Sequence, residues 1–328
     1  MNAKYVISRR SLLAGTAAAL AASPVASSGA FARAPLLNTQ APAYYRFRIG
    51  AIEATAVSDG PLDLGTPQPD IFKGVSKEEF SKTLADNFLS TDKVKLEQNA
   101  LVLNTGERLI LIDTGTGAQK LMGPDTGRLL NNLKAAGIDP KDIDAVALTH
   151  AHPDHCWGLL GADGQQNFPN AQIYMSQEDF DFWTDPAKAA NDMLKGFIEN
   201  TRKQLLPLRE RIVFFKDGQQ FLPGVQAIAA PGHTVGHTVF MISSGDKSLC
   251  NAGDLAHHHV IPLQRPQLEF TFDTDGAQAA RTRQRLFGML AAQRIPLLAY
   301  HFPWPGLGHL ATQGGAFRYV PAPLQTVL

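Results

Sequence analysis

Three histidines and an aspartate fall within six consecutive positions in Thr149-His150-Ala151-His152-Pro153-Asp154-His155. Imidazole and carboxylate are the donors that zinc and similar borderline divalent ions accept. The stretch follows directly on the apolar run 143–148, which reads as a short buried strand. In an extended chain, residues two apart project to the same side, so His150 and His152 can converge on one cation. Asp154 and His155 lie beyond Pro153, where the chain must turn, and can face a second cation. A lone histidine is most simply a packed or solvated residue; four such donors after one strand need a chemical reason.

Further candidates stand at the ends of other strand-like runs, where a scaffold presents functional groups. Pro231-Gly232-His233-Thr234-Val235-Gly236-His237 follows the run 225–229, Gly253-Asp254-Leu255 follows 247–250, and His301 closes 297–300. The elements that must carry these groups are mostly strands. Residues 45–58 alternate apolar and polar, as half-buried antiparallel strands do. Residues 101–103 and 109–112 form an apolar hairpin around Asn104-Thr105-Gly106-Glu107. Further strands are expected at 172–174, 212–215 and 237–242. Helical spacing appears at 127–136, with Gly137 placed to cap it, and at 178–183, parts of 186–203 and 276–293. Asp273-Thr274-Asp275-Gly276 reads as the N-cap of the last helix. Strands in both halves, with helices between and after them, suit two sheets packed face to face with helices outside.

On these residues the chain resembles the metallo-β-lactamase superfamily, whose H-x-H-x-D-H motif stands here as His150, His152, Asp154 and His155. The resemblance extends over nearly the whole chain beyond the N-terminal segment. Within the superfamily it looks most similar to methyl parathion hydrolase and its lactonase and arylesterase relatives. That likeness rests on Val57-Ser58-Asp59-Gly60, Asp113-Thr114-Gly115, Phe182-Trp183, Lys195-Gly196-Phe197, Gly253-Asp254-Leu255 and Pro305-Gly306-Leu307-Gly308-His309, among others. The resemblance implies an α/β fold, the αββα sandwich, with two metal ions at one edge. It implies that His150, His152 and His233 hold one ion, that Asp154, His155 and His301 hold the other, and that Asp254 bridges them with a hydroxide. His237 is not a metal ligand in that pattern, and Asp113 reads as structural support behind the ligands.

Two cations a few ångströms apart generate hydroxide near neutral pH and polarise a carbonyl or phosphoryl oxygen. Asp154 or Asp254 could then carry the proton to the leaving group. Zinc is the foremost candidate, although manganese, iron or cobalt suit the same donors. Trp183 and Phe197 match aromatic residues of the leaving-group pocket in the parathion-hydrolysing relatives, and Met122 stands where those enzymes carry a third aromatic. His257, in the run His257-His258-His259, is a further pocket residue outside the ligand set. The expected substrates are neutral lactones or aryl esters, with phosphotriesters secondary. Other readings of the same fold are a β-lactamase, a thioester hydrolase or an iron-dependent oxidoreductase. Asp254 argues against the first, because the common zinc β-lactamases carry Cys or Ser there.

The composition fits an enzyme. Thirty basic residues balance 30 acidic ones in 328 residues, so nothing favours a nucleic-acid partner. With 44% hydrophobic residues the chain can bury a sizeable core without disulfides. Its two cysteines, Cys156 and Cys250, make no disulfide framework, although they could pair in an oxidising compartment. Residues 1–32 read as an export signal: Ser8-Arg9-Arg10-Ser11-Leu12-Leu13, an apolar Ala-rich run too short to span a bilayer, then Ala30-Phe31-Ala32 before Arg33. The expectation is a twin-arginine export signal at 1–32 and one domain at 33–328, periplasmic or secreted, with no membrane span in the mature chain. The resemblance adds homodimerisation as an expectation.

Overall fold

Side chains that alternate along the strands divide between separate apolar layers, and that division gives the architecture. The computed structural model describes residues 34, 36–120 and 123–328. The export-signal reading of 1–32 and the Met122 assignment therefore lie outside the described residues. Within the compact unit Pro42–Leu328, the first half runs β1 (Tyr44–Ile49), β2 (Ile52–Ser58), β3 (Leu62–Asp63), α1 (Lys77–Asp86), β4 (Lys95–Leu96), β5 (Asn99–Asn104) and β6 (Leu109–Ile112). It continues with α2 (Leu129–Ala135), β7 (Ala145–Ala147), α3 (Pro153–Cys156), β8 (Gln172–Ser176), α4 (Gln177–Thr184), α5 (Asp192–Leu205) and β9 (Ile212–Phe215). The second half adds β10 (Gln220–Leu222), β11 (Val225–Ala229), β12 (Thr238–Ser244), β13 (Lys247–Asn251), α6 (Ile261–Gln264), α7 (Gly276–Gln293), β14 (Leu297–Leu298), β15 (Leu307–Gln313) and β16 (Ala316–Pro321).

One sheet has the order β1-β2-β5-β6-β7-β8-β9 and the other runs β10 to β16 in sequence, while β3 and β4 pair apart. The hairpin expected from the apolar runs forms in register, Leu101 opposite Ile112 and Asn104 opposite Leu109. Ala54, Ala56, Leu101, Leu103, Ile110, Ile112, Ala145 and Ala147 face Val225, Ala227, Phe240, Ile242 and Leu249 between the sheets. Their neighbours Val57, Val102, Leu111 and Val146 face outward, onto Leu129 and Leu133 of α2, Phe180 and Trp183 of α4, and Ile198 and Leu205 of α5. On the far side Val239, Cys250 and Leu297 meet Leu286, Phe287 and Leu290 of α7. The period of two thus builds an αββα sandwich. A smaller cluster joins Phe80 and Leu84 of α1 to Leu62, Phe72, Leu96, Ile261 and Phe270.

Two local differences from the sequence pattern have physical causes. The helix expected over 127–136 begins at Leu129, with Gly137 just past its end at φ +77°. Its start is set by the buried Asp59 carboxylate, which accepts from Leu129 N at 2.8 Å, Gly127 N at 3.1 Å and the backbone and hydroxyl of Thr116 at 2.9 and 3.0 Å. Strand 297–300 shortens to two residues because the Asn99 side chain donates to Ala299 O at 3.1 Å and Phe302 O at 2.8 Å, curling the chain out of the ladder. His301 therefore sits in a turn rather than on a strand.

Burial pushes the Asp59 carboxyl up to about 6, against the hydrogen bonds that favour its charge. Asp59→Ala should cost about 2–4 kcal/mol, since it strips the acceptor from three backbone N–H groups. Urea unfolding measures this; a loss well under 1 kcal/mol would show that the 115–129 segment is held by something else.

Candidate metal centre

Every strand end singled out in the sequence delivers its group to one place. After β7 the chain bends at Thr149, and His152 occupies the N-cap of α3 at φ −69°, ψ 158°. Pro153 takes the first helical position, where its missing N–H costs nothing. The turn it starts brings Asp154 and His155 beside Asp254, with the His155 ring 4.0 Å from that of His150. His233 lies in the turn after β11, closed by Ala230 N donating to His237 O at 2.8 Å. Asp254 follows β13, and its own N–H donates to Nε2 of His237 at 3.0 Å.

Asp254 stands at the middle. Its Oδ2 lies 3.1 Å from His301 Nε2, 3.1 Å from His257 Nε2, 3.4 Å from His233 Nε2 and 3.8 Å from His150 Nε2, and its Oδ1 lies 3.3 Å from His155 Nε2. Asp154 Oδ2 lies 3.5 and 3.4 Å from Nε2 of His155 and His301. Two compact triads emerge, His150–His152–His233 and Asp154–His155–His301, and Asp254 groups with His150 and His155, one member of each.

The far side of most rings is fixed. His155 Nδ1 donates to Asp113 at 2.9 Å, His233 Nδ1 to Asp273 at 2.9 Å, and His301 Nδ1 to Glu97 O at 2.8 Å. Thr149 gives its hydroxyl proton to Asp113 at 2.8 Å and accepts from His150 Nδ1 at 3.1 Å. Each bond fixes its ring with Nε2 aimed inward, the arrangement that prepares an imidazole as a ligand once any proton there is displaced. Asp113 does this from a left-handed backbone at φ +61°, a conformation tolerated in a non-glycine residue only when its surroundings hold it.

The electrostatics match. Burial opposes charge on His155 and His301, but the Asp254 and Asp154 carboxylates outweigh it and hold both rings above the ordinary histidine range. His233 is likewise carried up to about 9 by Asp254 and Asp273, against burial. Burial dominates His150 and His152, which fall well below that range. Burial also disfavours charge on Asp254, yet His301, His155 and His257 keep its carboxyl well below the usual carboxylate range. Nε2 of His150, His155 and His233 and Oδ1 of Asp254 are buried without a hydrogen-bond partner. Buried polar atoms are rarely left so. A divalent cation in each triad would satisfy these donors, and the residues fit two borderline metal ions.

The remaining site candidates fall around this centre. Trp183 is buried with its ring 4.9 Å from that of His152, and Phe197 lies 6.5 Å from His152. His257 stacks on Phe270 at 3.8 Å and, through Asp254, stands closer to the ligands than a pocket wall requires. His258 points away and accepts from Val260 N and Ile261 N. His237 takes no place in either triad; burial lowers it to about 4, so its neutral ring donates to Ala230 O and accepts from Asp254 N. Cys156 and Cys250 are both free and buried. The cap of α7 is Asp275, whereas Asp273 serves His233 instead, a role no local pattern announces. Arg283, read only as part of a helix, donates to Leu255 O, Pro266 O and Leu268 O and so fixes the loop that carries His257 and Asp273.

The Metallo-beta-lactamase superfamily profile matches residues 95–291. Among solved structures, the fold is similar to AidC, a dizinc quorum-quenching lactonase in complex with a product, at TM-score 0.80 and 30% identity, covering 87% of this chain and 99% of that one. It is similar also to AbOPH, a hydrolase in the beta lactamase superfamily, at TM-score 0.81 and 31% identity, covering 88% and 100%. An N-acyl homoserine lactonase from Bacillus sp is 28% identical over 160 residues, 44% of this chain and 57% of its own length. The chain spans about half the length of the curated relatives it matches.

Before a metal binds, His233 keeps its proton up to about pH 9, so a metal ion must displace that proton. Apparent zinc affinity should therefore rise with pH until about 9. Calorimetric titration at pH 7 in buffers of different ionisation enthalpy should show at least one proton released per chain; a heat independent of buffer would contradict this. The sign for stability is opposite. The raised His233 stabilises the metal-free fold below its ordinary range and loses that contribution as pH climbs through 9.

Proposed function

The chain belongs to the metallo-β-lactamase superfamily, and from that premise we propose that it is a dinuclear metal-dependent hydrolase of lactones and aryl esters, phosphotriesters being secondary substrates. The observation that carries this is the pair of triads with Asp254 grouped with one member of each. His150, His152 and His233 would hold one ion, Asp154, His155 and His301 the other, and Asp254 would lie between them. Two ions, zinc foremost, would supply a water acidified towards neutral pH and a Lewis acid for the substrate oxygen.

The chain's own groups divide the remaining work. Asp254 is kept ionised by the imidazoles around it, so it orients and accepts rather than stores a proton. The Asp154 side chain keeps 12% exposure at the pocket, and its backbone carbonyl accepts from the Tyr300 hydroxyl at 2.6 Å. It is the carboxylate placed to take a proton from the attacking water and hand it to the leaving group. The entry is apolar, with Leu62, Leu64, Leu96, Phe197, Phe270 and Phe272 around the ligands. An adjoining groove of about 830 Å³, lined by Phe182, Trp183, Met193, Leu194 and Phe197 among others, offers room for an acyl or aryl group. Both favour a neutral, partly apolar substrate. His257 is neutral, pushed down to about 3 by burial, and can give or take one hydrogen bond with the substrate.

Similarity to a dizinc lactonase supports this reading of substrate class. Among the described residues no helix is long and apolar enough to cross a membrane. We keep twin-arginine export to the periplasm or beyond, and homodimerisation, as part of the proposal.

Asp254→Ala should drop bound zinc below two per chain and lower kcat/KM by at least about a thousandfold, about 4 kcal/mol of transition-state stabilisation. Wild-type turnover should rank dihydrocoumarin or a phenyl ester ahead of methyl parathion and a β-lactam. A variant that keeps both metals and full activity would remove Asp254 from its bridging place. Fastest turnover of the β-lactam would move the substrate class elsewhere. Phe197→Ala should raise KM more for a long-chain acyl lactone than for a short one; equal effects would take the groove out of substrate binding.

A further inference from the structure

The two loops that supply the first triad share no ligand until a metal arrives, yet a side chain outside both already couples them. Asp179, in the first turn of α4, is fully buried. Its Oδ2 accepts from Ala151 N at 2.7 Å, the amide between His150 and His152. Its Oδ1 accepts from Gly236 N at 2.7 Å, in the turn that carries His233. One carboxylate oxygen therefore serves each loop. The second loop also lies hard against the start of the helix: a Cβ on Gly236 would fall 2.0 Å from Ser176 Oγ and 2.7 Å from Asp179 N. Asp113 and Asp273 act on imidazoles of one loop at a time; Asp179 alone among these three carboxylates spans two loops.

We propose that Asp179 is a positioning residue that sets the separation of His150 and His152 from His233, and so the affinity of that triad for its metal ion. This rests on the dinuclear reading above. The rings of the other triad are held by Asp113 and Glu97 O, to neither of which Asp179 is hydrogen-bonded, so the effect falls mainly on one of the two metal positions. An asparagine at 179 keeps one acceptor oxygen and turns an NH2 group towards the other amide. Two donors then face each other, and one loop must withdraw.

The test uses full-length protein and zinc alone, with chelator competition for the two dissociation constants. Ring-nitrogen NMR shifts of the histidines report which imidazoles are ligated. Asp179→Asn should weaken the His150–His152–His233 position tenfold to a hundredfold and change the other by less than about threefold. Ser176→Ala is the control: its hydroxyl caps α4 through Asp179 N at 3.1 Å, while the Ala151 and Gly236 amides both donate to Asp179 instead. It should lower Tm without altering the ratio of the two affinities. Gly236→Ala carries the test if Asp179→Asn does not fold, because it pries the second loop from an intact carboxylate and should produce the same split. Wild type binding two zinc ions, with Asp179→Asn or Gly236→Ala behaving as Ser176→Ala does, overturns the inference. Wild type failing to bind two overturns the dinuclear reading instead.

Discussion

A carboxylate with five imidazole nitrogens within 3.1–3.8 Å, all buried, is the constraint on which this structure turns. Like-charged rings cannot crowd together in a low dielectric unless something compensates them. Asp254 supplies part of that compensation, and a pair of metal ions would supply the rest. Most of the polar architecture follows from the need to hold these groups still. Asp113, Asp273, Thr149 and the Glu97 carbonyl each pin the outer nitrogen of one ring, and His237 steadies the Asp254 backbone. The left-handed Asp113 belongs to the same requirement.

The apolar layers make that concentration of polar groups tolerable. The inter-sheet core of small and branched residues brings the ends of β7, β11, β13 and β14 to a common edge. Arg283 then ties down the loop that contributes His257 and Asp273, spending its guanidinium on three backbone carbonyls. Phe270 links the two levels, packed in the α1 cluster on one side and stacked on His257 on the other. The same residue is therefore part of a core and part of the pocket wall.

Much of this was legible in the sequence. Two apolar runs, 101–103 and 109–112, around a turn-forming stretch read as a hairpin, which forms, and the strand ends pointed to His233, Asp254 and His301. Four donors in six residues were legible because their chemistry is local. What escaped is non-local. Asp273 reaches a histidine 40 residues away and looked like a helix cap; Asp179 joins amides 28 residues before it and 57 residues after it and carried no pattern at all. His257 stands only three residues after Asp254, so that contact is local, but the run His257-His258-His259 does not by itself say which ring turns to the carboxylate. The shortened β14 reflects the Asn99 side chain, some 200 residues earlier in the chain.

The proposed arrangement puts one buried aspartate between two metal positions. Anomalous diffraction at the zinc edge, from crystals grown with zinc, tests it most directly. Two peaks are expected roughly 3.5–4 Å apart, one among His150, His152 and His233 and the other among Asp154, His155 and His301, with Asp254 reaching both. A single peak, or two peaks of which only one contacts Asp254, would contradict it.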